Sequence, residues 1–362
     1  MPRCLLALCL AAPVLCQAAP LYTVTPLGNL GGSSGDVRAL NNQGQVVGHI
    51  LSPDSAGNAF VANGTVLSNL HPEGAGASYA NGINRHGTIA GTVVEAGGVS
   101  RAVTFAGGAI VELGSLGGRG PFNSAAAAIN DGGLVAGTSD LADGAGQHAF
   151  LHVPGQALRD LGTLGGVNSM ATAINAAGAV VGRADTGGGS YHAFLYGGAG
   201  MADLGTLGGT FSEASGINDQ GLVSGFSYLE GNATAHAFVL ADGMMVDLGT
   251  LGGNNSFAYG INNLGQLVGS SEVGGGLHAF VYAGGSMADL NGLVGPGFEW
   301  TLNYASDINE LGQIAAFGCN TLSQCQGFLL TPASAVPEPA TLAMLLLGLG
   351  VVLLRLRTSC QP

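Results

Sequence analysis

Between residues 34 and 332 apolar residues come in short bursts cut by Gly, Asn and Asp. One stretch reads "SMATAIN" (169–175), "GAVVGRA" (178–184), "YHAFLYG" (191–197) and "GMADLGT" (200–206). Apolar residues mix with small or polar ones in these segments, as in half-buried strands, and no helical period is sustained across the region. The pattern predicts four short strands joined by hairpins. After the first segment an Asn is followed three residues later by Gly. This is a tight-turn signal, because Asn bonds its own backbone and Gly supplies a positive φ.

The same grammar recurs along the chain. The phrase "(A/G)IN–x–x–G", with small variations, places its Asn at Asn41, Asn84, Asn130, Asn175, Asn218, Asn262 and Asn309, at spacings of 43 to 47 residues. Four strands in a repeat of ~45 residues is the pattern of a propeller blade. Small residues at Ala171, Ala173, Ala214, Gly216, Ala258 and Gly260 suit a crowded innermost strand. The N-terminal "LYTVTPLGNLGG" (21–32) has the form of a fourth strand without a blade, and "GFLLTP" (327–332) that of a third strand without a fourth. Joining them would complete the seventh blade and close the ring, where an open end would expose unpaired edge groups. The expected fold is an all-β, seven-bladed β-propeller spanning 19–332 and closed by pairing of 21–27 with the last blade. A β-solenoid is the alternative. In this reading "DLGTLGG" ends an outer strand and returns the chain to the next inner strand, its Leu residues packing between blades.

Composition narrows the function. Of 362 residues 65 are Gly and only 9 % are charged, against about 25 % charged in ordinary soluble chains. A hydrophobic content of 47 % argues against disorder. All nine basic residues are Arg, so a Walker-type phosphate loop and a Schiff-base lysine are excluded. The net charge of −13 argues against binding nucleic acid.

Both ends read as targeting segments. Residues 1–18 hold Arg3, an apolar run and small residues, the layout of a secretory signal cleaved after Ala18. Residues 333–339 form a linker containing Pro337, Glu338 and Pro339. Residues 340–362 hold an apolar run, Leu342 to Leu354, and then Arg355 and Arg357. This order reads as a short membrane helix with cations kept on the cytoplasmic side. It closely resembles the PEP-CTERM sorting signal of Gram-negative bacteria. The resemblance implies processing by an exosortase and release to the cell surface or extracellular matrix, with a single-pass anchor as the alternative. Once both ends are set aside, Cys319 and Cys325 remain as an even pair in an oxidising compartment, and a disulfide is expected.

Repeats carrying "LGTLGG", "IN–x–x–G" and "HAF" are similar to the HAF-type extracellular repeat family of bacteria. That resemblance implies secretion and a repeated β architecture and brings no reaction with it. His148, His192, His236 and His278 share one register, where other repeats carry Asn58, Arg101 and Gln326. A ring of metal ligands would have to bridge separate blades with bonds of about 2 Å, so the expected role is a hydrogen bond across a hairpin. Asp140, Asp143, Glu213 and Glu230 are the candidate carboxylates for a glycosidase, which needs a pair ~5 to 10 Å apart. The aromatic supply is thin, Trp300 being the only Trp. The expected function is that of a monomeric, non-catalytic binding or scaffold module without cofactor or metal, acting in the cell envelope or on exopolysaccharide. A carbohydrate-directed hydrolase and a purely structural surface protein are the alternatives.

Overall fold

The computed structural model describes residues 22–28, 34–52 and 55–333, and its regular elements are strands apart from one 3-10 turn at Leu290–Gly292. Strands Ser34–Leu40, Gln45–Ser52, Ser55–Asn63 and Val66–Asn69 form one antiparallel sheet in chain order. That unit recurs. Among the described residues there are five four-stranded sheets and one eight-stranded sheet, whose two halves are linked by a single parallel pair, Tyr191 with Phe211.

The last sheet is completed from the other end of the chain. Strand Tyr22–Pro26 lies beside Cys325–Pro332, followed by Ile314–Asn320 and Trp300–Ile308. Leu27 N donates to Gly327 O at 3.0 Å and Thr23 Oγ1 to Thr331 O at 3.1 Å. The two orphan strands of the sequence therefore meet. In the same sheet Cys319 and Cys325 are joined by a disulfide across one hairpin.

The repeated phrase "IN–x–x–G" has two structural tasks. In repeat five, Asn218 Oδ1 accepts from Gln220 N at 3.1 Å and Leu222 N at 2.9 Å, while Gly221 turns the chain with φ 85°. Asn218 Nδ2 meanwhile donates to the carbonyl of Asn262, the matching residue of the next repeat, at 3.1 Å. The same bond runs from Asn41 to Asn84, Asn130, Asn175 and Asn218, then from Asn262 to Asn309, and from Asn309 back to Asn41. All seven residues are buried, and each link satisfies polar groups that would be costly to enclose unpaired.

Apolar packing lies between repeats. Ala214, Ile217 and Phe238 of one repeat, for example, cluster with Val181 and Ala193 of the repeat before, with Leu204 and Leu207 of the connecting phrase against them. The Phe of "HAF" and its counterparts Phe60 and Phe328 are at most 3 % exposed. The "DLGTLGG" phrase divides differently from the sequence reading. Asp160 and Asp203 close outer strands, but Gly165 and Gly208 already begin the next inner strands. Thr206 Oγ1 ties the connection down by donating to Gly209 O at 2.7 Å.

The signal segment 1–18 with Ala18, and the sorting segment with Pro337, Glu338, Pro339 and the helix expected in 340–362, lie outside the described residues. Among the described residues no helix is long and apolar enough to cross a membrane.

Candidate ligand site in the central cavity

In every repeat the pairing of the first strand with the second contains a register shift at one and the same place. It lies between Val37 and Ala39, Ala80 and Gly82, Ala126 and Ala128, and Ala171 and Ala173. It recurs between Ala214 and Gly216, Ala258 and Gly260, and Ala305 and Asp307. Each shift leaves one extra residue, and a β-bulge of this kind re-aims a side chain. The extra residues are Arg38, Asn81, Ala127, Thr172, Ser215, Tyr259 and Ser306, and all seven line one cavity of about 1010 Å³.

A glycine makes room for the bulge. Opposite it the second strand carries Gly48, Gly91, Gly137, Gly182, Gly225 or Gly269, where a Cβ would lie 1.9 to 2.2 Å from an inner-strand carbonyl. In the last repeat Ala316 takes that place, and there the inner strand carries a second register shift between Leu302 and Tyr304.

The residues around the bulge barely vary. The position before it is Val37 or Ala, at most 3 % exposed, and the residue preceding the Asn of the circle is Ile or Leu. The cavity-facing positions do vary. The bulge residue differs in almost every repeat, and two residues earlier stand Asp36, Ala125, Met170, Glu213 and Tyr304, which also line the cavity.

Two charged clusters stand in it. Asp36 pairs with Arg38 at 2.6 Å and accepts from the Tyr304 hydroxyl. Burial, and then the Asp36 charge, push the Tyr304 phenol well above its ordinary range. Tyr259 meets Tyr304 edge to face at 6.4 Å between ring centres, and its hydroxyl lies 3.1 Å from Ser270 Oγ. In the second cluster Arg183 Nη1 bonds Glu213 Oε2 at 3.0 Å, and the guanidinium lies 4.9 Å from the centre of the Tyr191 ring. Burial raises the Glu213 carboxyl above its ordinary range, against the opposing pull of Arg183. Asp36 and Glu213 are the acidic residues lining the cavity, and each is engaged by an arginine.

Of the four carboxylates singled out in the sequence, Glu213 alone belongs to this site. Asp140 is a clamp. Although desolvation works against it, bonds from Asn123 N and Nδ2 and from Gln147 Nε2, at 2.8 to 2.9 Å, hold its carboxyl below the usual range. Asp143 accepts from Ala145 N in an exposed turn, and Glu230 is exposed. Trp300 packs edge to face on Phe328. The four His do not meet one another. His148, His192, His236 and His278 each place Nδ1 2.7 to 2.9 Å from Asp160, Asp203, Asp247 or Asp289 of the same repeat. Among the described residues no group of three or more metal-ligating side chains converges. Sequence reasoning missed Asp36, Arg38, Arg183, Tyr259 and Tyr304. Their signal is that they break the repeat at positions where its frame does not change.

Residues 335–357 match the family model of the PEP-CTERM protein-sorting motif. The motif implies secretion in a Gram-negative bacterium, processing by an exosortase and a C-terminal membrane-anchoring segment. No curated protein matches the chain in sequence. Among solved structures, propeller-like neighbours share the fold. YCF48 bound to D1 peptide matches with a TM-score of 0.52 and 10 % identity, over 89 % of this chain and 98 % of that one. TolB from Acinetobacter baumannii matches with a TM-score of 0.48 and 12 % identity, over 80 % of this chain and 64 % of TolB, less than two thirds of that protein. At 10 % identity the likeness to YCF48 is one of fold alone.

Proposed function

We propose that the chain is an exosortase-sorted, seven-bladed β-propeller acting as a non-catalytic binding module in the cell envelope or exopolysaccharide matrix, with its ligand held in the central cavity. The contrast within the inner strands carries the reading. A frame of Ser, Ala, Ile and Asn recurs, while the seven bulge residues, and five of the seven residues two before them, change from repeat to repeat and line one space. A chain whose only task was to stack repeats has no use for Arg38, Glu213 and Tyr259 at positions filled elsewhere by Ala127 and Ala125. The closed circle of seven Asn side chains supports the blade count. The HAF-type resemblance and the sorting motif support an extracellular site of action.

The test is binding of the processed protein to the exopolysaccharide and surface extract of its own producing cells. Saturable binding that falls when Arg38 and Tyr259 are both replaced by Ala is expected. Saturable binding untouched by that change would move the site out of the cavity, and absence of binding would leave a structural coat protein. Shortening of the polysaccharide during incubation would make the protein a hydrolase.

A further inference from the structure

We infer that the cavity takes an uncharged oligosaccharide, entering past an aromatic rim on repeats four and five; this rests on the binding-module reading above. The charges decide against an ionic ligand. Arg38 is paired with Asp36 and Arg183 with Glu213, so the site is neutral, and a strongly anionic or cationic ligand would have to break a pair already made. The lining mixes apolar surface with polar groups such as Asn123, Gln147 and Thr172. Ala125, Ala127 and Met170 of repeats three and four are apolar, whereas Tyr259, Tyr304 and Arg38 of repeats six, seven and one present hydroxyl and guanidinium groups. A pyranose has the matching build, with C–H groups on its faces and hydroxyls at its edge. The volume of about 1010 Å³ admits more than one sugar unit and stands at the upper end of the ~300–1,000 Å³ of small-molecule sites.

The rim adds a second, independent observation. In repeats three, four and six the buried Ser of the inner strand is preceded by an Asn clamped to an acid of the second strand. Asn123 bonds Asp140 at 2.9 Å, Asn168 bonds Asp185 at 2.8 Å and Asn255 bonds Glu272 at 2.7 Å. In repeat five both partners are aromatic. Phe211 stands in the Asn place and Tyr228 in the acid place, with ring centres 5.9 Å apart, and Tyr191 of the preceding repeat lies 4.9 Å from Phe211. All three rings are only partly buried. Two residues past Phe211 stands Glu213, which lines the cavity, and its partner Arg183 lies over Tyr191 in an adjoining cleft that shares Met170 and Gln147 with the cavity, so the rings stand beside the cavity's ion pair. A hydrogen-bonded clamp has been exchanged for an apolar platform at one point of the rim. Aromatic faces of this kind hold the C–H face of a sugar while neighbouring polar groups fix its orientation.

The fold itself supplies the control. Phe211→Asn combined with Tyr228→Asp installs the clamp that repeats three and four already use, and Tyr259→Phe removes a single hydroxyl inside the cavity. Isothermal titration of the processed protein would use neutral gluco-, galacto- and manno-oligosaccharides of two to four units, beside uronic-acid and amino-sugar oligomers of equal length. The expected result is binding of at least one neutral series, weakened about tenfold or more by the double variant and by Tyr259→Phe, with thermal midpoints unchanged. Binding confined to charged oligomers overturns the inference and leaves the binding module standing. Neutral binding unaffected by either variant overturns it too. Failure to bind any oligosaccharide while the protein still binds its producer's surface extract overturns the saccharide assignment alone. Failure with both sets of probes overturns both readings.

Discussion

Asn309 Nδ2 donates to the carbonyl oxygen of Asn41 at 3.0 Å across 268 residues of sequence. This bond closes a circle whose other six links each reach forward by one repeat. The side chain serves twice, because its Oδ1 caps its own turn while its Nδ2 holds the neighbour. Replacing Asn218 by Ala therefore leaves two turn N–H groups without their acceptor and takes from the Asn262 carbonyl one of its donors, Gly265 N remaining at 3.1 Å. A loss of about 2–4 kcal/mol is expected in denaturant unfolding. Asn218→Asp keeps the acceptor and removes the donor, so a smaller loss is expected. Equal losses for the two would place the whole effect in the bond to Asn262.

A second prediction concerns Gly225, whose Cβ would lie 2.0 Å from Glu213 O and 2.9 Å from the Phe238 ring. The inner strand would have to give up its bulge or move away. Gly225→Ala is expected to destabilise by about 1–3 kcal/mol or more and to displace Ser215 and Glu213 from the cavity. Gly231, in the exposed loop beyond, has nothing within 4 Å of its added Cβ, but its φ of 83° makes it a turn glycine. The better control is Gly197, which has open space and no positive φ. Gly197→Ala should unfold at nearly the wild-type midpoint, and a matching loss there would remove the bulge from the explanation.

The four-strand grammar, the repeat length and the pairing of 21–27 with 327–332 were legible because each rests on a local pattern: turn chemistry at Asn and Gly, short apolar runs, and two strands lacking partners. The circle was not legible. "IN–x–x–G" reports its turn, whereas the bond from Asn218 Nδ2 to Asn262 O depends on how sheets stack. The cavity was hidden for another reason. Reading for chemistry picked out carboxylates outside the cavity, such as Asp140 and Glu230, and passed over Asp36, Arg38 and Tyr259, which sit on the inner strands. What marks those three is departure from the repeat, seen only when the seven inner strands are laid side by side. The Gly that faces six of the seven bulges was equally visible, but its task depends on the register between the first two strands.

The disulfide between Cys319 and Cys325 spans six residues and joins directly opposed positions of one hairpin. Such a short loop constrains the unfolded chain little. Replacing both Cys by Ser is expected to cost at most about 2 kcal/mol and to leave the pairing of Tyr22–Pro26 with Cys325–Pro332 in place. Hydrogen exchange at Leu27, whose N–H bonds Gly327, reports that pairing. Loss of its protection in the double variant would make the disulfide part of the ring closure. Free thiols in the non-reduced protein would remove the bridge altogether.

Asp307 is the acid in a position that other repeats fill with Ala39, Gly82, Ala128, Ala173, Gly216 and Gly260. Its Oδ2 accepts from Leu40 N at 2.9 Å, so it bridges the last inner strand to the first, and its Oδ1 accepts from Ile308 N at 2.9 Å. Gly260 makes the space, since a Cβ there would lie 3.0 Å from Asp307 Oδ1. Burial pushes the carboxyl from its ordinary 3.8 up to about 7, against the two N–H bonds, which favour the charged form. The folded state therefore holds a proton that the unfolded chain has already released. Stability from this group is complete below about pH 4, declines as pH rises, and is exhausted once pH passes about 7. Asp307→Asn, which cannot titrate, removes that dependence. The difference in unfolding free energy between Asp307→Asn and wild type is expected to shift in favour of the variant from pH 5 to pH 7, by on the order of a few kcal/mol, and then to stay level up to pH 8. A difference that is flat from pH 5 to pH 8 would mean that Asp307 is already ionised in the folded protein and that its bond to Leu40 is a charge-assisted clasp.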